Sequence, residues 1–373
     1  MEALGQMTHV PVRPLVMARM AVQRLAEVLV LAFFPVIIPL AMVGYLVGTY
    51  HPFGMLFDFH VMWNAGRDVA HGHSPYPFVY PAPAAVLMAP LGALPWKIAV
   101  ALWWIVSVLA LMLALHLLGV DDWRCYGAVF ASHATLWALE IGTISPLLVL
   151  AAAVAWRYRD RTQIVAGAIA FVIVTKLFLW PLAVWLIATK RFRTTVFTAV
   201  QSFVLLIGGW AVIGFAGFLT YPSHLGGIAT KVEYDSFSVL ALAKAVGISE
   251  SGSRLVSLLV TVAALALIFL VARGRDGDQR AFVAAVGAAL LISPIVWVHY
   301  FVLLYVPIAA SRKRLTWLWL LPLGFWALPH AASNGSASQI LIGLGITCAV
   351  LVGSAWSPRR PDSLPVPAAM IRA

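Results

Sequence analysis

The sequence predicts an all-α polytopic membrane protein, and three features of the chain indicate that fold class. Of 373 residues, 62% are hydrophobic and only 10% are charged, whereas an average soluble domain has roughly 25% charged residues. A soluble fold of this size could not hide so much apolar surface. Apolar runs of about 20 residues recur, which is the length that crosses a bilayer core of roughly 30 Å. The basic residues fall in short segments between those runs.

The apolar runs divide the chain into about 10–12 membrane helices. Spans are predicted at about 26–49, 97–118, 195–216, 254–272, 281–298, 299–311, 315–330 and 338–355. Shorter paired segments, expected to dip partway or to tilt around a groove, are at about 125–139, 146–157, 163–175 and 177–189. We expect a cytoplasmic N-terminal segment (1–25) without a cleaved signal peptide, one membrane domain (26–355) and a proline-rich cytoplasmic tail (356–373).

The positions of the basic residues predict the orientation of these helices. With the N-terminus in the cytoplasm, 19 of the 25 Lys and Arg residues lie in cytoplasmic segments. The six others are Arg67, Lys97, Lys176, Lys231, Lys244 and Arg254. The net charge of +11 is therefore interpreted as a topology signal and not as a nucleic-acid surface. The predicted location is the cell (inner) membrane, with segment 50–96 facing the periplasm or exterior.

Several classes of site find no support in the sequence. The chain contains no P-loop and no GxGxxG motif, and it shows no internal repeat of the kind that marks many transporters. Cys125 and Cys348 lie far apart in apolar surroundings and are interpreted as packing residues rather than a disulfide. We predict no cofactor.

The external loop, residues 50–96, interrupts the apolar pattern with polar, aromatic and proline residues. Its polar residues include Asp58, His60, Asn64, Arg67, Asp68, His71 and His73. Phe59, Met62, Trp63 and Val69 recur at roughly helical spacing, which predicts an amphipathic helix lying in the membrane interface. The prolines of SPYPFVYPAP prevent a continuous span, and AAVLMAPLGALP is too short to cross. From composition alone, an ordinary loop with solvated charges remains an alternative.

The same loop carries a resemblance to a known family. DFHVMWNAGRDVAHGHSPY followed by VYPAPAAVLMAPLGALP resembles the opening of glycosyltransferase family 87. The shared pattern is an Asp shortly after the first span (Asp58), an AG-containing helix (Ala65-Gly66), G-x-x-x-Y (Gly72 to Tyr76) and a YPP-like turn (Tyr80 to Pro83). This family consists of GT-C-type membrane enzymes and includes the mycobacterial polyprenol-phosphate-mannose-dependent α-1,2-mannosyltransferases.

Later segments resemble the family in the same order along the chain, over about residues 50 to 310. GTISPLLVL is similar to a GQxNLLLL segment, with Thr143 and Ser145 where Gln and Asn are usual. AGAIAFVIVTKLFLWPLAVWLIATKRFR resembles an AG…K…P…RRWR segment, and ISPIVWVHYFVLLYVP resembles SPxSWxHHxxxLLPP. DSFSVLALAKAVG is similar to an external helix that contains NQSL, with Asp235 and Phe237 as departures.

The resemblance implies a GT-C-type glycosyltransferase that transfers a hexose from a polyprenyl-phosphate donor, and it implies mannose as that hexose. The acceptor would be a hydroxyl of a glycolipid or glycan on the external face, with membrane lipids around the protein and no nucleic acid bound. A hydroxyl is a poor nucleophile, so a carboxylate must remove its proton. Asp58 stands in the family position and is predicted to be this general base, whereas Asp68 is interpreted as a helix-surface charge.

The lipid-phosphate leaving group needs a fixed cation. Lys176 stands in the apolar run VIVTKLFLW, where a lysine is costly and usually functional. A lysine that reaches the membrane interface is the alternative. His299 matches the first His of the family pair, and Tyr300 replaces the second. We predict that Lys176 and His299 bind the donor phosphate, although His299 also fits an ordinary interfacial histidine.

The remaining predictions concern substrate contacts, metal and a rival function. Candidate acceptor or sugar contacts are Trp63, Arg67, Tyr76, Tyr80, Glu140 and Asp235, of which Glu140 and Asp235 also suit structural roles. No metal is predicted, because His71 and His73 lack a third ligand and Asp58 is not part of a DxD pair. The rival is a transporter or flippase for a lipid-linked sugar, which would need a polar path to the cytoplasm.

Overall fold

The computed structural model describes residues 55–274, 276–329 and 336–356, together with isolated positions between 17 and 27. These residues form helices and no β-sheet, so the predicted all-α class is confirmed. Most of the predicted first span (26–49), most of segment 1–25 and the tail beyond Trp356 lie outside the described residues.

The helices are labelled here in chain order. The first eight are α1 (Phe57–Ala70), α2 (Ala82–Gly92), α3 (Trp96–Leu117), α4 (Trp123–Ala131), α5 (His133–Glu140), α6 (Ser145–Arg157), α7 (Thr162–Lys176) and α8 (Pro181–Ala188). The others are α9 (Phe192–Val212), α10 (Tyr221–Val232), α11 (Val239–Ala245), α12 (Glu250–Ala272), α13 (Gly277–Ile292), α14 (Tyr305–Ser311), α15 (Trp317–Leu320) and α16 (Ala337–Ala355). Three 3₁₀ segments are Glu233–Asp235, Val298–Leu304 and Leu321–Ala327.

Four of the described helices are long and apolar enough to cross a membrane: α3, α9, α12 and α16. Their outer faces are apolar and exposed. Helix α12, for example, buries only Ser253 and Ile268 among its 23 residues. A helix that leaves so much hydrocarbon uncovered by protein needs lipid around it. The chain is therefore an integral membrane protein, and these helices lie where the sequence predicts spans.

The short apolar helices form the interior of the protein. Helices α6, α7, α8 and α13 bury most of their small and apolar side chains against one another and against α3 and α9. This agrees with the prediction that the short paired segments differ in kind from the full spans.

Four predicted segments are interrupted or shortened in the structure, and two of them, 299–311 and 315–330, each combine a 3₁₀ segment with a short α-helix in place of a continuous span. The predicted segment at 125–139 is two helices, α4 and α5, because Ser132 is extended at φ −75° and ψ 135°. At this break the Ser132 hydroxyl donates a hydrogen bond to the carbonyl of Pro322. The predicted span 281–298 ends at Ile292, just before Ser293 and Pro294. Proline lacks an N–H and disfavours helix at the residue before it.

Helices α1 and α2 pack closely across two glycines of the external loop. A Cβ atom on Gly66 would lie 2.4 Å from the carbonyl oxygen of Met88. One on Gly92 would lie 2.2 Å from the amide nitrogen of Arg67. Real Cβ atoms do not approach so closely, so only glycine permits this crossing. The close contact between α1 and α2 therefore requires glycine at positions 66 and 92.

The turns after α6 and after α8 contact the start of α13 near the first residue of α7. This is the end of α7 that lies away from Lys176. Asp278 accepts hydrogen bonds from both Nη atoms of Arg191, at 2.5 and 2.9 Å, and its carboxylate lies 3.2 Å from Nε of Arg159. The Trp185 indole donates to the same carboxylate at 2.9 Å. The ion-paired ends of α6, α8 and α13 therefore meet, and the sequence assigns these ends to one membrane side.

Candidate active site

Side chains from four distant parts of the chain meet beside the last residue of α7. They are Asp58 at the start of α1, Tyr80 before α2, Lys176 at the end of α7, and His299 with Tyr300 in the 3₁₀ segment. The Lys176 ammonium lies 4.2 Å from the ring centroid of Tyr300 and 5.6 Å from that of Tyr80. The charges of Asp58 and Lys176 act on each other. We call these five residues the charged cluster.

The first turn of α1 fixes the position of Asp58. The first amides of a helix have no partner within it, and here the end of α5 supplies carbonyls for them. Asp58 donates its backbone N–H to the carbonyl of Ile141 at 3.0 Å, and Leu56 donates to that of Glu140 at 2.8 Å. Gly142 allows the close approach, since a Cβ there would lie 2.6 Å from that of Phe59. The GTIS segment thus anchors the predicted base.

The Asp58 carboxylate is partly buried and ready to accept a proton. No described side chain donates a hydrogen bond to it, and it forms no direct ion pair with a described residue. Burial raises the pKa of Asp58 above its ordinary value of 3.8, and the positive charge of Lys176 acts in the opposite direction. A raised pKa makes a carboxylate a stronger base near neutral pH. The site therefore suits proton abstraction.

Lys176 presents a buried cation without a hydrogen-bonded partner. Its Nζ atom is inaccessible to solvent and makes no hydrogen bond with the described protein. The faces of Tyr300 and Tyr80 stabilise the ammonium through cation–π interactions, each worth about 0.5–2 kcal/mol. Leu177 ends the helix at a φ of 53°, which brings Lys176 to the last turn, where a cation is favourable. A lysine held in this way has its hydrogen-bonding capacity free for an anion.

His299 lies next to this cation. It is 3% exposed, and neither ring nitrogen has a hydrogen-bond partner in the described part of the chain. Its imidazole packs edge-on against the Tyr300 ring, with centroids 4.6 Å apart. Buried polar groups are almost always hydrogen-bonded, and an exception needs an explanation. A ligand between His299 and Lys176 would satisfy both groups.

Two predicted contact residues lie in the packing of the external loop instead. The Trp63 indole donates to the carbonyl of Leu91 at 3.0 Å, and its ring packs edge-on against Trp96. The Arg67 guanidinium lies over the Trp63 ring at 5.4 Å and is exposed. These contacts join α1 to α2 and to the start of α3. The structure does not bring Trp63 or Arg67 into contact with the charged cluster.

The other predicted contacts lie at different distances from the cluster. Tyr76 stands directly behind Tyr80, because its hydroxyl donates to the Tyr80 carbonyl at 3.1 Å. Glu140 is partly buried, and its carbonyl accepts the amide of Leu56. Asp235 is exposed in the short 3₁₀ segment before α11. Tyr76 and Glu140 therefore adjoin residues that position the cluster, and Asp235 has no such connection.

Sequence reasoning missed the roles of two tyrosines. Tyr300 entered only as a replacement for the second His of the family pattern, yet it makes the closest ring contact to the Lys176 ammonium. Tyr221 donates its hydroxyl to the carbonyl of Val79 at 3.2 Å and supports the segment that carries Tyr80. The WVHYF sequence offers a signal for Tyr300, since it adjoins His299. No local signal marks Tyr221, which lies 142 positions from its partner.

The described residues offer no cluster of metal ligands. Among the described residues, no three His, Cys, Asp or Glu side chains come together as ligands. The Nδ1 atom of His71 lies 2.7 Å from the carbonyl of Arg67, so this histidine has a local partner at the end of α1. The cation in the cluster is the lysine side chain.

Comparison with known proteins supports the order of motifs along the chain. Residues 78–294 match Glycosyltransferase family 87. A polyprenol-phosphate-mannose-dependent alpha-(1-2)-phosphatidylinositol pentamannoside mannosyltransferase of Mycobacterium tuberculosis is 25% identical over 301 residues, which cover 76% of this chain and 65% of that protein. The protein of the same name from Mycolicibacterium smegmatis is 24% identical over 379 residues, covering 92% of this chain and 85% of its own.

No solved structure matches the chain. The family match includes Tyr80, Lys176 and the segment leading to His299, and it covers more than half of the sequence. Together with the helical membrane fold, it establishes that this chain belongs to glycosyltransferase family 87.

Proposed function

We propose that the protein transfers mannose, a hexose, from a polyprenyl-phosphate donor to a hydroxyl of a glycolipid or glycan acceptor on the external face of the membrane. The observation that carries this proposal is the charged cluster. It combines a carboxylate that has no ion-pair partner among the described residues with a buried ammonium that makes no hydrogen bond within them. A glycosyl transfer from a phosphate needs both a base and an anion site.

The proposed reaction forms one bond and breaks another at the anomeric carbon of the donor sugar. The acceptor oxygen bonds to that carbon as the bond to the phosphate oxygen breaks. The acceptor proton passes to the carboxylate of Asp58, and the bonding electrons leave with the polyprenyl phosphate. Positioned general bases typically contribute about 10²–10⁴-fold to such rates. The product is a glycoside, and no oxidant, reductant or nucleotide is consumed.

Lys176 and His299 are the proposed donor-phosphate ligands. The leaving phosphate gains negative charge as its bond to the sugar breaks, and a preorganised cation stabilises that charge. The rings of Tyr300 and Tyr80 hold the Lys176 ammonium in place, so little free energy is needed to reorganise it when the donor binds. His299 has two unpartnered ring nitrogens beside it, and one N–H can donate to a phosphate oxygen.

The relatives support the choice of donor and acceptor class. The names of these relatives specify a polyprenol-phosphate-mannose donor and a phosphatidylinositol pentamannoside acceptor. This chain shares about one quarter of its aligned residues with these relatives. The similarity supports the class of donor more strongly than the acceptor, because the GTIS and DSFS segments depart from the family pattern. The positions of the basic residues support the inner-membrane location and the external orientation of the cluster.

A transporter or flippase would need polar groups that continue from the cluster to the cytoplasmic side. Helix α7 joins Lys176 to the basic end of the protein through the sequence TQIVAGAIAFVIVTK. Between Gln163 and Thr175 this helix carries only apolar or small residues. The polar groups are therefore concentrated at the two ends, which favours transfer at one face over passage through the protein.

The test is transfer of labelled mannose by the purified full-length protein in nanodiscs, with polyprenyl-phosphate mannose as donor and a membrane lipid extract as acceptor. Wild-type protein should produce a labelled lipid. The Asp58→Asn variant keeps the shape of the side chain but cannot take up the proton, so turnover should fall about 10²–10⁴-fold. Donor binding should remain, because the phosphate ligands are unchanged.

Asp68→Asn is the matched control, because Asp68 lies on the same helix and the structure shows no side-chain contact from it to the cluster. This variant should keep its turnover within about threefold of wild type, as expected for a surface substitution. Normal turnover in Asp58→Asn would remove Asp58 as the base. No labelled product with wild-type protein and any polyprenyl-phosphate hexose would overturn the proposed function.

A further inference from the structure

A polar cavity is lined by Tyr76 and Tyr221, which hydrogen-bond to the segment that carries Tyr80, and it has no part in the proposed chemistry. Its volume is about 560 Å³, and it lies between the proline-rich loop after α1 and the first turn of α10. The polar and aromatic residues that line it are Ser74, Tyr76, Thr220, Tyr221, Ser223 and His224. We call this cavity the hydroxyl pocket. Its volume is within the range of about 300–1,000 Å³ found for small-molecule sites.

The lining of the hydroxyl pocket is polar but carries no Asp, Glu, Lys or Arg among the described residues. It presents the hydroxyls of Ser74, Thr220 and Ser223 and the imidazole of His224. Thr220 and Ser223 donate their protons to the carbonyls of Gly217 and Thr220. Their oxygens therefore keep lone pairs that can accept hydrogen bonds. Such a surface suits a neutral ligand with many hydroxyl groups and offers nothing to balance a phosphate.

The aromatic walls of the pocket are rigid. The Tyr76 ring stacks on Trp210 with centroids 4.8 Å apart and an angle of 13° between the planes. Tyr221 packs edge-on against both rings at 5.7 Å. Gly217 allows the chain to pass close to Tyr76, since a Cβ there would lie 3.0 Å from the Tyr76 ring. A preorganised aromatic wall lowers the entropy lost on binding.

The same tyrosines connect the pocket to the charged cluster. Tyr76 donates its hydroxyl to the carbonyl of Tyr80, and Tyr221 donates to that of Val79. The Tyr80 ring in turn faces the Lys176 ammonium at 5.6 Å. One short segment therefore forms the back of the pocket and one wall of the cluster. A ligand in the pocket would contact Tyr76 and Tyr221, the two side chains that hold this segment by hydrogen bonds.

We propose that the hydroxyl pocket binds an uncharged sugar unit of the acceptor and so selects a glycan end over an anionic lipid headgroup. The inference rests on the proposed function, because it assigns the acceptor of that reaction. The donor phosphate is bound by Lys176 at the other side of Tyr80, so the two substrates occupy chemically distinct places. The neutral pocket and the cationic cluster then discriminate between acceptor and donor.

Binding can be measured without any donor by saturation-transfer NMR on the full-length protein in nanodiscs free of sugar detergents. The probes are methyl α-D-mannopyranoside, which is neutral, and mannose 6-phosphate, which is anionic. Wild-type protein should transfer saturation to the neutral sugar and much less to the phosphate. The double variant Ser223→Ala/His224→Ala removes two hydrogen-bonding groups and should weaken binding about 5- to 150-fold.

Ser251→Ala is the matched control, since Ser251 is exposed at the start of α12 and does not line the pocket. It should bind the neutral sugar as wild type does. Ser223→Trp, at an exposed position on the rim, fills the pocket without disturbing buried packing and should also abolish binding. Equal binding by the wild type and both pocket variants, or no binding by wild type, would overturn the proposal.

A kinetic measurement separates this proposal from the proposed function. In the transfer assay the double variant should raise the acceptor KM by the same factor, with the donor KM changed less than about twofold, as expected for a site that the donor does not touch. If wild-type protein transfers no sugar, the proposed function fails. The NMR result still decides whether the hydroxyl pocket binds the neutral sugar. If transfer occurs and the acceptor KM is unaffected, the acceptor binds elsewhere and the pocket proposal is wrong.

Discussion

Substituting Lys176 by Met tests whether this buried ammonium binds the donor phosphate. Met matches the apolar surroundings of α7 and removes only the charge and its three hydrogen-bond donors. The Lys176 Nζ atom makes no hydrogen bond within the described protein, so the substitution leaves no described hydrogen-bonding group unpaired. Hydrogen bonds to charged groups contribute about 1.5–3 kcal/mol. Donor affinity should therefore fall about 10- to 150-fold.

The same substitution should change the pH dependence of the reaction. Asp58 acts as a base only when it is deprotonated, so turnover rises as the pH increases through its pKa. Burial raises the pKa of Asp58, and the Lys176 charge acts in the opposite direction. Removing that charge lets the pKa rise further, so the acidic limb of the profile should move to higher pH. Lys176→Arg keeps a positive charge and should leave the limb close to its wild-type position.

The assay is donor titration at several pH values with labelled polyprenyl-phosphate mannose and saturating acceptor. Tyr300→Phe and Tyr300→Leu add a second comparison, because Phe keeps the ring that faces the ammonium at 4.2 Å. Loss of one cation–π contact, about 0.5–2 kcal/mol, should raise the donor KM about 2- to 30-fold in the Leu variant only. An unchanged donor KM and an unmoved acidic limb in Lys176→Met would refute the assignment.

Three further predictions concern topology and packing. In a cysteine-free background, a single cysteine at Ser74 should react with an impermeant reagent outside intact cells and one at Ser311 should not, and the reverse pattern would invert the predicted orientation. Gly92→Ala should reduce transfer and lower the thermal midpoint, since its Cβ would meet the backbone of α1 at 2.2 Å. Gly127→Ala, with no atom within 4 Å of its Cβ, should leave both close to wild type. Asp278→Ala leaves two arginines and an indole without their shared carboxylate, and should cost about 1–3 kcal/mol of stability while the donor KM stays unchanged. An increased donor KM without loss of stability would contradict that structural role.

Composition and spacing predict much of the membrane fold, because hydrocarbon length and basic residues obey simple physical limits. Helices α3, α9, α12 and α16 lie where the apolar runs predict spans. The amphipathic pattern after Asp58 likewise forms helix α1. The breaks are harder to predict. The break at Ser132 depends on a hydrogen bond to Pro322, 190 residues further along the chain. No local pattern contains that information.

The candidate site shows the same division between local and distant information. Asp58 stands out in the sequence because it occupies the family position, and Lys176 stands out because a lysine in an apolar run is costly without a role. The residues predicted to contact the sugar or the acceptor are all aromatic or polar, so their types do not distinguish them. In the structure the Trp63 indole binds the carbonyl of Leu91, and Asp235 is exposed. Residue type alone does not separate a ligand contact from a packing contact.

The sequence by itself determined the membrane class and the positions of four long spans, and it singled out the two charged residues expected to act on a sugar phosphate. Only the tertiary structure decided that the rings of Tyr80 and Tyr300 face the Lys176 ammonium, and that this ammonium makes no hydrogen bond within the described part of the chain. The physical reason is that hydropathy and residue cost are properties of a short segment. An ammonium's partners, in contrast, are determined by the packing of helices whose residues lie about one hundred positions apart in the chain.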